Sequence, residues 1–206
     1  MVIPDNPPKI FLARHCKTQW NLEKRLVGTS DIPLCKEGRD EAYANLPLIE
    51  SLGIQRIISS PLKRAYETAK TYADHLGLPL HINPGLKEID HGSWNGKKIQ
   101  ELLHDSDFKR WFEVDPTSIP IPDGTETIQS AQKRILKTIK EIVLSYPNET
   151  ILIVMHKHIR SLLRCAVYGY EFKRWRENID DRIEPIEIPK THIKRILELA
   201  ADGVVA

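Results

Sequence analysis

Short, mainly apolar runs without polar alternation are the feature that most restricts how this 206-residue chain can fold. The longest run is Ile151–Met155, which is rich in β-branched side chains. Similar runs cover Ile10–Ala13, Arg56–Ser59 and Leu80–Ile82, and Ile186–Ile188 has the composition of a last edge strand. A strand that is apolar throughout is buried on both faces, as in a parallel sheet covered by helices. We therefore expect most of these runs to form such a sheet.

Helical patterns separate these runs. The clearest follows Thr125 and Glu126, and its apolar stripe consists of Ile128, Ala131, Ile135, Ile139, Ile142 and Val143. Another begins at Ser60-Pro61, where serine is a good N-cap and proline suits the first helical position. Further helices are expected over Arg39–Leu52, Ile159–Val167 and Lys190–Ala200. Strands that alternate with helices predict βαβ units and a doubly wound α/β sheet.

Length and composition exclude several classes of protein. A chain of 206 residues can fold without a disulfide or a structural metal, and we interpret 1–206 as one domain with a core over about 9–168 and a C-terminal segment over 169–206. Hydrophobic residues make up 41% and charged residues 28%, which is typical of a globular protein. The net charge of +2 argues against a dedicated nucleic-acid binder, and no apolar stretch is long enough to cross a membrane. Three sparse cysteines and an N-terminus unlike a signal peptide predict a cytoplasmic protein.

Charged residues follow three of the predicted strands at the point where each strand ends. His15 and His156 come directly after strands, Arg14 precedes the first histidine, and Arg64 lies early in the helix after the second strand. Because ligands bind outside the carboxyl ends of parallel strands, we expect these side chains to converge. Arginine forks and helix N-termini bind phosphate well. The sequence therefore predicts a pocket for a phosphoryl group, with the proline-rich loop Asp115–Asp123 at its rim.

Several separated motifs resemble those of one family. They are Arg14-His15-Cys16-Lys17-Thr18 with Trp20-Asn21, then Gly28, Asp31, Pro33-Leu34 and Gly38, then the blocks Ser59–Ala69, Glu88–Gly96 and Val154–His156. These blocks are similar to those of the histidine phosphatase superfamily, also called phosphoglycerate-mutase-like, and cover about residues 9–168. The resemblance implies a three-layer α/β/α sandwich with a mostly parallel central sheet.

The resemblance also implies a role for each site residue. His15 is expected to attack phosphorus and form phosphohistidine, which water then hydrolyses. Glu88 is expected to protonate the leaving alcohol and then to activate the water. The phosphate oxygens are expected to contact Arg14, Asn21, Arg64 and His156. No metal or other cofactor is required, because the arginines offset the charge of the transition state.

Five positions near the two histidine motifs call for separate expectations. Cys16 stands where the family has glycine, and we expect its thiol to project near the phosphate. Lys17 replaces an acidic residue and Lys157 replaces a glycine, and both are expected at the substrate rim. Arg160 follows the second histidine by four residues instead of five, an apparent one-residue deletion. His158 is expected to lie outside the pocket.

These features predict a metal-independent phosphomonoester hydrolase that acts on a small anionic metabolite. The form of the block that begins at Glu88 resembles the phosphatase branch of the family. Two alternatives remain open, namely cofactor-dependent phosphotransfer of the phosphoglycerate mutase type and a catalytically weak phosphate-ligand sensor or interaction module. A metal site at His15, Cys16, His156 and His158 is a weaker competitor, because adjacent arginines repel a cation. The expected partner is a phosphomonoester, with neither nucleic acid nor membrane, and a homodimer is left open.

Overall fold

Five strands form one mixed, mostly parallel sheet in the computed structural model, which describes residues 6–114, 117, 121–124 and 126–202. The strands are β1 (Lys9–Arg14), β2 (Arg56–Ser59), β3 (Leu80–Ile82), β4 (Thr150–Met155) and β5 (Ile186–Ile188). Their order is β3-β2-β4-β1-β5, and only the edge pair β1–β5 is antiparallel. The predicted α/β fold with a mostly parallel sheet is confirmed.

Helices cover both faces of the sheet. They are α1 (Gln19–Leu22), α2 (Lys36–Ala44), α3 (Leu46–Ser51), α4 (Lys63–Leu76), α5 (Ile99–Leu102), α6 (Ser106–Lys109), α7 (Ile128–Ser145), α8 (Lys157–Tyr168) and α9 (Lys190–Asp202). Short 3₁₀ segments cover Pro84–Leu86, Gly92–Trp94 and Phe172–Asn178, and a π-helical turn covers Arg110–Val114. Within the part of the chain that the structure describes, no helix is both long and apolar enough to cross a bilayer.

The core has two parts, one on each face of the sheet. On β4, Ile151 and Ile153 face the cluster that includes residues of α7, α8 and α9. Leu152 and Val154 face the opposite cluster, which includes residues of α2, α3 and α4. Successive side chains of a strand point to opposite faces, so a continuously apolar strand supplies both clusters. This burial explains why β4 lacks polar alternation.

The strand register brings the predicted site residues to one edge of the sheet. Arg14 pairs with Met155 at the end of β1 and β4, and Ser59 pairs with Val154 at the end of β2 and β4. The pairing of β1 continues one residue further, because the His15 N–H donates to the Met155 carbonyl over 3.0 Å. The loops that follow these three strands therefore start side by side.

The start of α4 differs from the sequence prediction. Ser60 is not its N-cap, because α4 begins at Lys63 with Leu62 in the N-cap position. The Ser60 N–H donates to the Val154 carbonyl over 3.0 Å and so extends the sheet instead. Sheet pairing therefore takes precedence over the local capping signal.

Two other helix boundaries also differ from the predictions. The pattern over 39–52 forms two helices, because α2 ends before Asn45 and Pro47 lies in the first turn of α3. The long amphipathic helix α7 begins at Ile128 with Thr127 as its N-cap, and Thr125 lies outside the described residues. Most of the predicted rim loop over 115–123 also lies outside them, and Ile121 at its end is buried.

Candidate active site

A cavity of about 360 Å³ opens beside the carboxyl ends of the central strands. Its polar and charged lining consists of Arg14, His15, Asn21, Lys24, Arg25, Arg64, Glu88, Lys157, His158 and Asp181. Five of these side chains are lysine or arginine, whereas two are carboxylates, so the cavity favours an anion.

His15 presents an unprotonated nitrogen beside a guanidinium. Its Nδ1 lies 2.7 Å from the Cys16 carbonyl oxygen, which can only accept, so Nδ1 carries the proton. Its Nε2 accepts a hydrogen bond of 3.1 Å from Arg64 Nε. Burial of the ring, followed by the positive charges of Arg64 and Arg14, holds the pKa of His15 well below its usual value. His15 is therefore neutral near pH 7, and its Nε2 lone pair, which accepts from Arg64, can attack an electrophile once that hydrogen bond is released.

Arg64 is fixed by backbone carbonyls from the loop after α1. Its two terminal nitrogens donate to the carbonyls of Ser30 and Gly28, each over 2.7 Å. Gly28 has a φ of +51°, and a Cβ atom there would overlap the Asn95 side chain. Burial lowers the pKa of Arg64 to about 10, so its guanidinium remains charged near neutral pH.

His156 is buried behind His15 and is not among the residues that line the cavity. The ring centroids of the two histidines lie 5.2 Å apart. His156 Nε2 lies 2.7 Å from Ser60 Oγ, which accepts the Leu62 N–H and can donate its own proton to the ring. Burial, followed by the charge of Arg64, holds the pKa of His156 well below its usual value.

Two buried nitrogens near His15 have no hydrogen-bond partner among the described residues. They are His156 Nδ1 and Arg14 Nε. Buried polar atoms of a folded protein are nearly always hydrogen-bonded, so these two suit a ligand that brings its own acceptors. Together with Arg64 they supply donors from the end of β1, the helix after β2 and the residue after β4.

The Glu88 carboxylate lies at the N-terminus of α8. Oε1 accepts hydrogen bonds from the N–H groups of Ile89 and Ile159, and Oε2 accepts one from His158. Glu88 is 6% exposed and lines the cavity. Oε2 therefore keeps a lone pair that can exchange a proton with a ligand.

One sequence expectation near His15, for Cys16, is wrong, and the rim position of Lys17 remains a prediction. The Cys16 thiol lies 3.8 Å from the Tyr72 hydroxyl in the core between β1 and α4, and not near the cavity. Burial raises its pKa to about 11, so it is a thiol and not a thiolate at neutral pH. Lys17 forms an ion pair with Glu41 and is not among the residues that line the cavity.

Helix α8 follows His156 directly. The helix begins at once with Lys157, and His158 lines the cavity, contrary to our expectation.

Asn21 also lines the cavity, and its Oδ1 accepts from the N–H and hydroxyl of Thr18 at the start of α1. Among the described residues, no group of three or more histidine, cysteine or acidic side chains is arranged to hold a metal ion.

Sequence reasoning missed three charged residues of the cavity. Lys24 and Arg25 follow α1, where Lys24 has a φ of 55°, which is uncommon for a residue other than glycine. Asp181 reaches the cavity from the C-terminal segment and forms ion pairs with Arg14 and Lys157. The sequence motifs contain residues close to His15 and His156 in the sequence, whereas Asp181 belongs to none of the motifs.

Two more buried histidines lie beneath Glu88. His91 Nε2 and His158 Nδ1 are 3.0 Å apart, and their rings pack edge-on against Trp111 and Trp175. Burial lowers the pKa of each ring to about 3, with further repulsion of His91 by His158 and of His158 by Lys157. Both rings are therefore neutral in the folded protein at the pH of the cell.

This pair makes the folded state sensitive to acid. Below about pH 6.5 the unfolded chain protonates both histidines, whereas the folded chain resists protonation until the pH approaches 3, so stability is lost as the pH falls. Between about pH 6.5 and pH 5, we expect the free energy of unfolding of His91→Gln to fall by about 1.5 kcal/mol less than that of the wild type. Urea unfolding at the two pH values measures this difference. The exposed His104 provides the control, and an equal effect of His104→Gln would contradict the assignment.

A family model described as "Histidine phosphatase superfamily (branch 1)" matches residues 10–183. The chain belongs to the histidine phosphatase superfamily. The predicted family is confirmed, and the chain is a phosphatase of this superfamily. The match extends beyond the motifs into the C-terminal segment that carries Asp181.

Relatives of this histidine phosphatase include both phosphatases and mutases. Phosphoserine phosphatase 1 of Hydrogenobacter thermophilus is 30% identical over 169 residues, which are 81% of this chain and 79% of the relative. A probable phosphoglycerate mutase, GpmB, of an Enterobacter species is 30% identical over 200 residues, which are 94% and 93% of the two chains. A solved structure of phosphoserine phosphatase from Entamoeba histolytica, in complex with 3-phosphoglyceric acid, superposes with a TM-score of 0.77 at 25% identity and covers 90% of this chain and 99% of that chain.

Proposed function

We propose that this histidine phosphatase hydrolyses phosphomonoesters of small anionic metabolites through a phosphohistidine at His15, without a metal ion. The observation that carries the proposal is the geometry of His15, whose Nδ1 donates to the Cys16 carbonyl while its Nε2 lies beside Arg64. A histidine held in this tautomer is a nucleophile, and the guanidinium beside it attracts the phosphate that the nucleophile attacks.

The phosphate is bound by donors that converge on the His15 ring. Arg64 reaches it from α4, and Arg14 offers the buried Nε that has no partner among the described residues. His156 offers Nδ1, and Asn21 lines the same cavity. Two guanidinium groups neutralise the dianion and the charge that spreads over its oxygens in a loose transition state.

The reaction has two displacement steps at phosphorus. In the first, His15 Nε2 forms a bond to phosphorus, the ester P–O bond breaks, and Glu88 donates a proton to the leaving oxygen. In the second, Glu88 takes a proton from water, the water oxygen bonds to phosphorus, and the P–N bond breaks to release inorganic phosphate. Oε2, which accepts one backbone N–H, is the oxygen with room for the proton that is transferred.

The substrate is a small acid, because the outer cavity carries further cations. Lys24, Arg25 and Lys157 line it in addition to the two phosphate-binding arginines. A cavity of about 360 Å³ is of a size that holds a metabolite of a few carbons. The relatives named phosphoserine phosphatase act on a metabolite of this size and charge, which supports the same class here.

Phosphate release from p-nitrophenyl phosphate and from a panel of small phosphorylated acids tests this function. We expect turnover that persists in the presence of a chelator, because protein cations supply the electrophilic stabilisation. Turnover that is lost to the chelator and restored by a divalent cation would contradict the mechanism. Inorganic phosphate absent from the products, with transfer between two hydroxyls of phosphoglycerate instead, would indicate the mutase alternative.

A further inference from the structure

We infer that Asp181 determines substrate specificity by making the outer cavity favour phosphate esters that carry an ammonium group close to the phosphate. The inference rests on the proposed phosphatase activity, because it names the substrate class of the same cavity. Among the residues that the structure describes, Asp181 and Glu88 are the two carboxylates that line this cavity, and Glu88 is engaged with the backbone of α8.

The Asp181 carboxylate lies between two cavity cations. Its Oδ1 lies 2.6 Å from an Arg14 terminal nitrogen, and Lys157 Nζ lies 2.8 Å from Oδ1 and 3.0 Å from Oδ2. The Asp181 side chain is 68% exposed, so it remains accessible to a bound molecule. Carboxylate oxygens have about four lone-pair sites, so Asp181 can accept a further N–H donor without losing these partners.

The backbone around Asp181 is held in place by a buried side chain. One terminal nitrogen of Arg160, on α8, donates to the carbonyls of Asp180 and Arg182 over 2.6 and 2.9 Å. Arg160 is 1% exposed, and it lies one turn after Lys157 on the same helix. The helix that supplies one of the cavity cations therefore also positions the carboxylate that pairs with it.

A bound phosphate does not need to displace Asp181 from Arg14. Asp181 uses one terminal nitrogen of Arg14, whereas the buried Nε has no partner among the described residues and is available to phosphate. A guanidinium presents five N–H donors in a plane, so one Arg14 can contact both anions. Asp181 and the phosphate then contact the same guanidinium group, so a substituent on a two- or three-carbon substrate can reach Asp181.

The negative charge of Asp181 discriminates between substrates that carry an ammonium group and substrates that carry a carboxylate at this position. Burial acts to raise the pKa of Asp181, but the hydrogen bond from Lys157 and the charges of Arg14 and Lys157 outweigh it, and the pKa is lowered. Asp181 is therefore ionised near neutral pH, attracts an ammonium group and repels a carboxylate. It also partly neutralises Lys157. Arg25 is paired with Glu23, which leaves Lys24 as the cavity cation that can bind a carboxylate elsewhere on the substrate.

O-phosphoethanolamine and 2-phosphoglycolate test this inference, because they share a two-carbon skeleton and differ in carrying an ammonium or a carboxylate group. For the variant Asp181→Asn we expect the ratio of kcat/KM for phosphoethanolamine to that for phosphoglycolate to fall by about tenfold. The phosphoglycolate value itself is expected to rise, since Lys157 becomes free to bind its carboxylate. Glu177→Gln removes the same charge from an exposed pair with Arg174 outside the cavity, and it should leave the ratio unchanged.

Three results would overturn the inference. A parallel rise for both substrates would mean that Asp181 only competes with phosphate for Arg14. A parallel fall would mean that it only orients Arg14, and an unchanged ratio with unchanged rates would mean that it does neither.

Binding separates failure of this inference from failure of the proposed function. In a His15→Ala background, calorimetry with the same two compounds measures the preference without turnover. Asp181→Asn should raise the ratio of the dissociation constant for phosphoethanolamine to that for phosphoglycolate. Absence of hydrolysis of every ester by the wild-type protein would contradict the proposed function, whereas an unshifted binding ratio would contradict the role of Asp181.

Discussion

His15→Ala is expected to lower kcat for aryl phosphate hydrolysis by about 10³-fold or more, because it removes the atom that forms the bond to phosphorus. The donors of the phosphate site remain, since Arg14, Arg64 and His156 belong to other positions of the fold. Binding of inorganic phosphate should therefore persist while turnover is lost. Steady-state kinetics and calorimetry on the same preparation measure the two effects.

A histidine outside the cavity provides the matched control. His81 on β3 contacts Arg56 and lies away from the residues that line the cavity. His81→Ala should keep the wild-type rate. If His15→Ala retained most of its activity, water and not histidine would attack phosphorus, and the covalent mechanism would be wrong.

Arg64→Lys is expected to lower kcat/KM by about 10²–10³-fold, although it keeps the positive charge. The lysine cannot reproduce the fork that contacts His15 together with the carbonyls of Gly28 and Ser30. The buried Gly28 carbonyl and the partly buried Ser30 carbonyl also lose their donors, and a buried carbonyl left unsatisfied costs about 1–3 kcal/mol of stability. We expect a lower free energy of unfolding as well as a lower rate.

A comparison with another arginine separates the catalytic effect from a general effect of the substitution. Arg39 on α2 donates to the Leu34 carbonyl over 2.7 Å and lies outside the cavity. Arg39→Lys should keep the wild-type kcat/KM. Wild-type kcat/KM in Arg64→Lys would show that the buried guanidinium is not part of the phosphate site.

The sheet could be predicted from the sequence because burial on both faces leaves a strong local pattern. β2 and β3 have the predicted bounds, and β4 differs by one residue at its start. The family and the α/β fold are confirmed, whereas the catalytic roles of His15 and Glu88 remain predictions. The position of His15 could be predicted because residues that follow parallel strands share one edge of the sheet, whereas Glu88 was implied only by the family resemblance.

Side-chain directions could not be predicted, because they depend on residues far away in the sequence. Cys16 faces Tyr72, 56 residues further on, and Lys17 is paired with Glu41 across the loop. Asp181 contacts Arg14 from a distance of 167 residues in the sequence. Ser60 has the residue type of an N-cap and precedes a proline. Its backbone N–H pairs with β4 instead, and α4 begins later, at Lys63.

The most direct test of the account is to trap the covalent intermediate. The wild-type protein is mixed with radiolabelled substrate, quenched with alkali during turnover and digested, and the labelled peptide is sequenced by mass spectrometry. We predict one phosphoryl group on His15, attached through Nε2, that is stable to alkali and labile to acid, and that is absent from His15→Ala. A protein that turns over while no histidine carries phosphate, or with the phosphate on a histidine other than His15, would contradict the central claim.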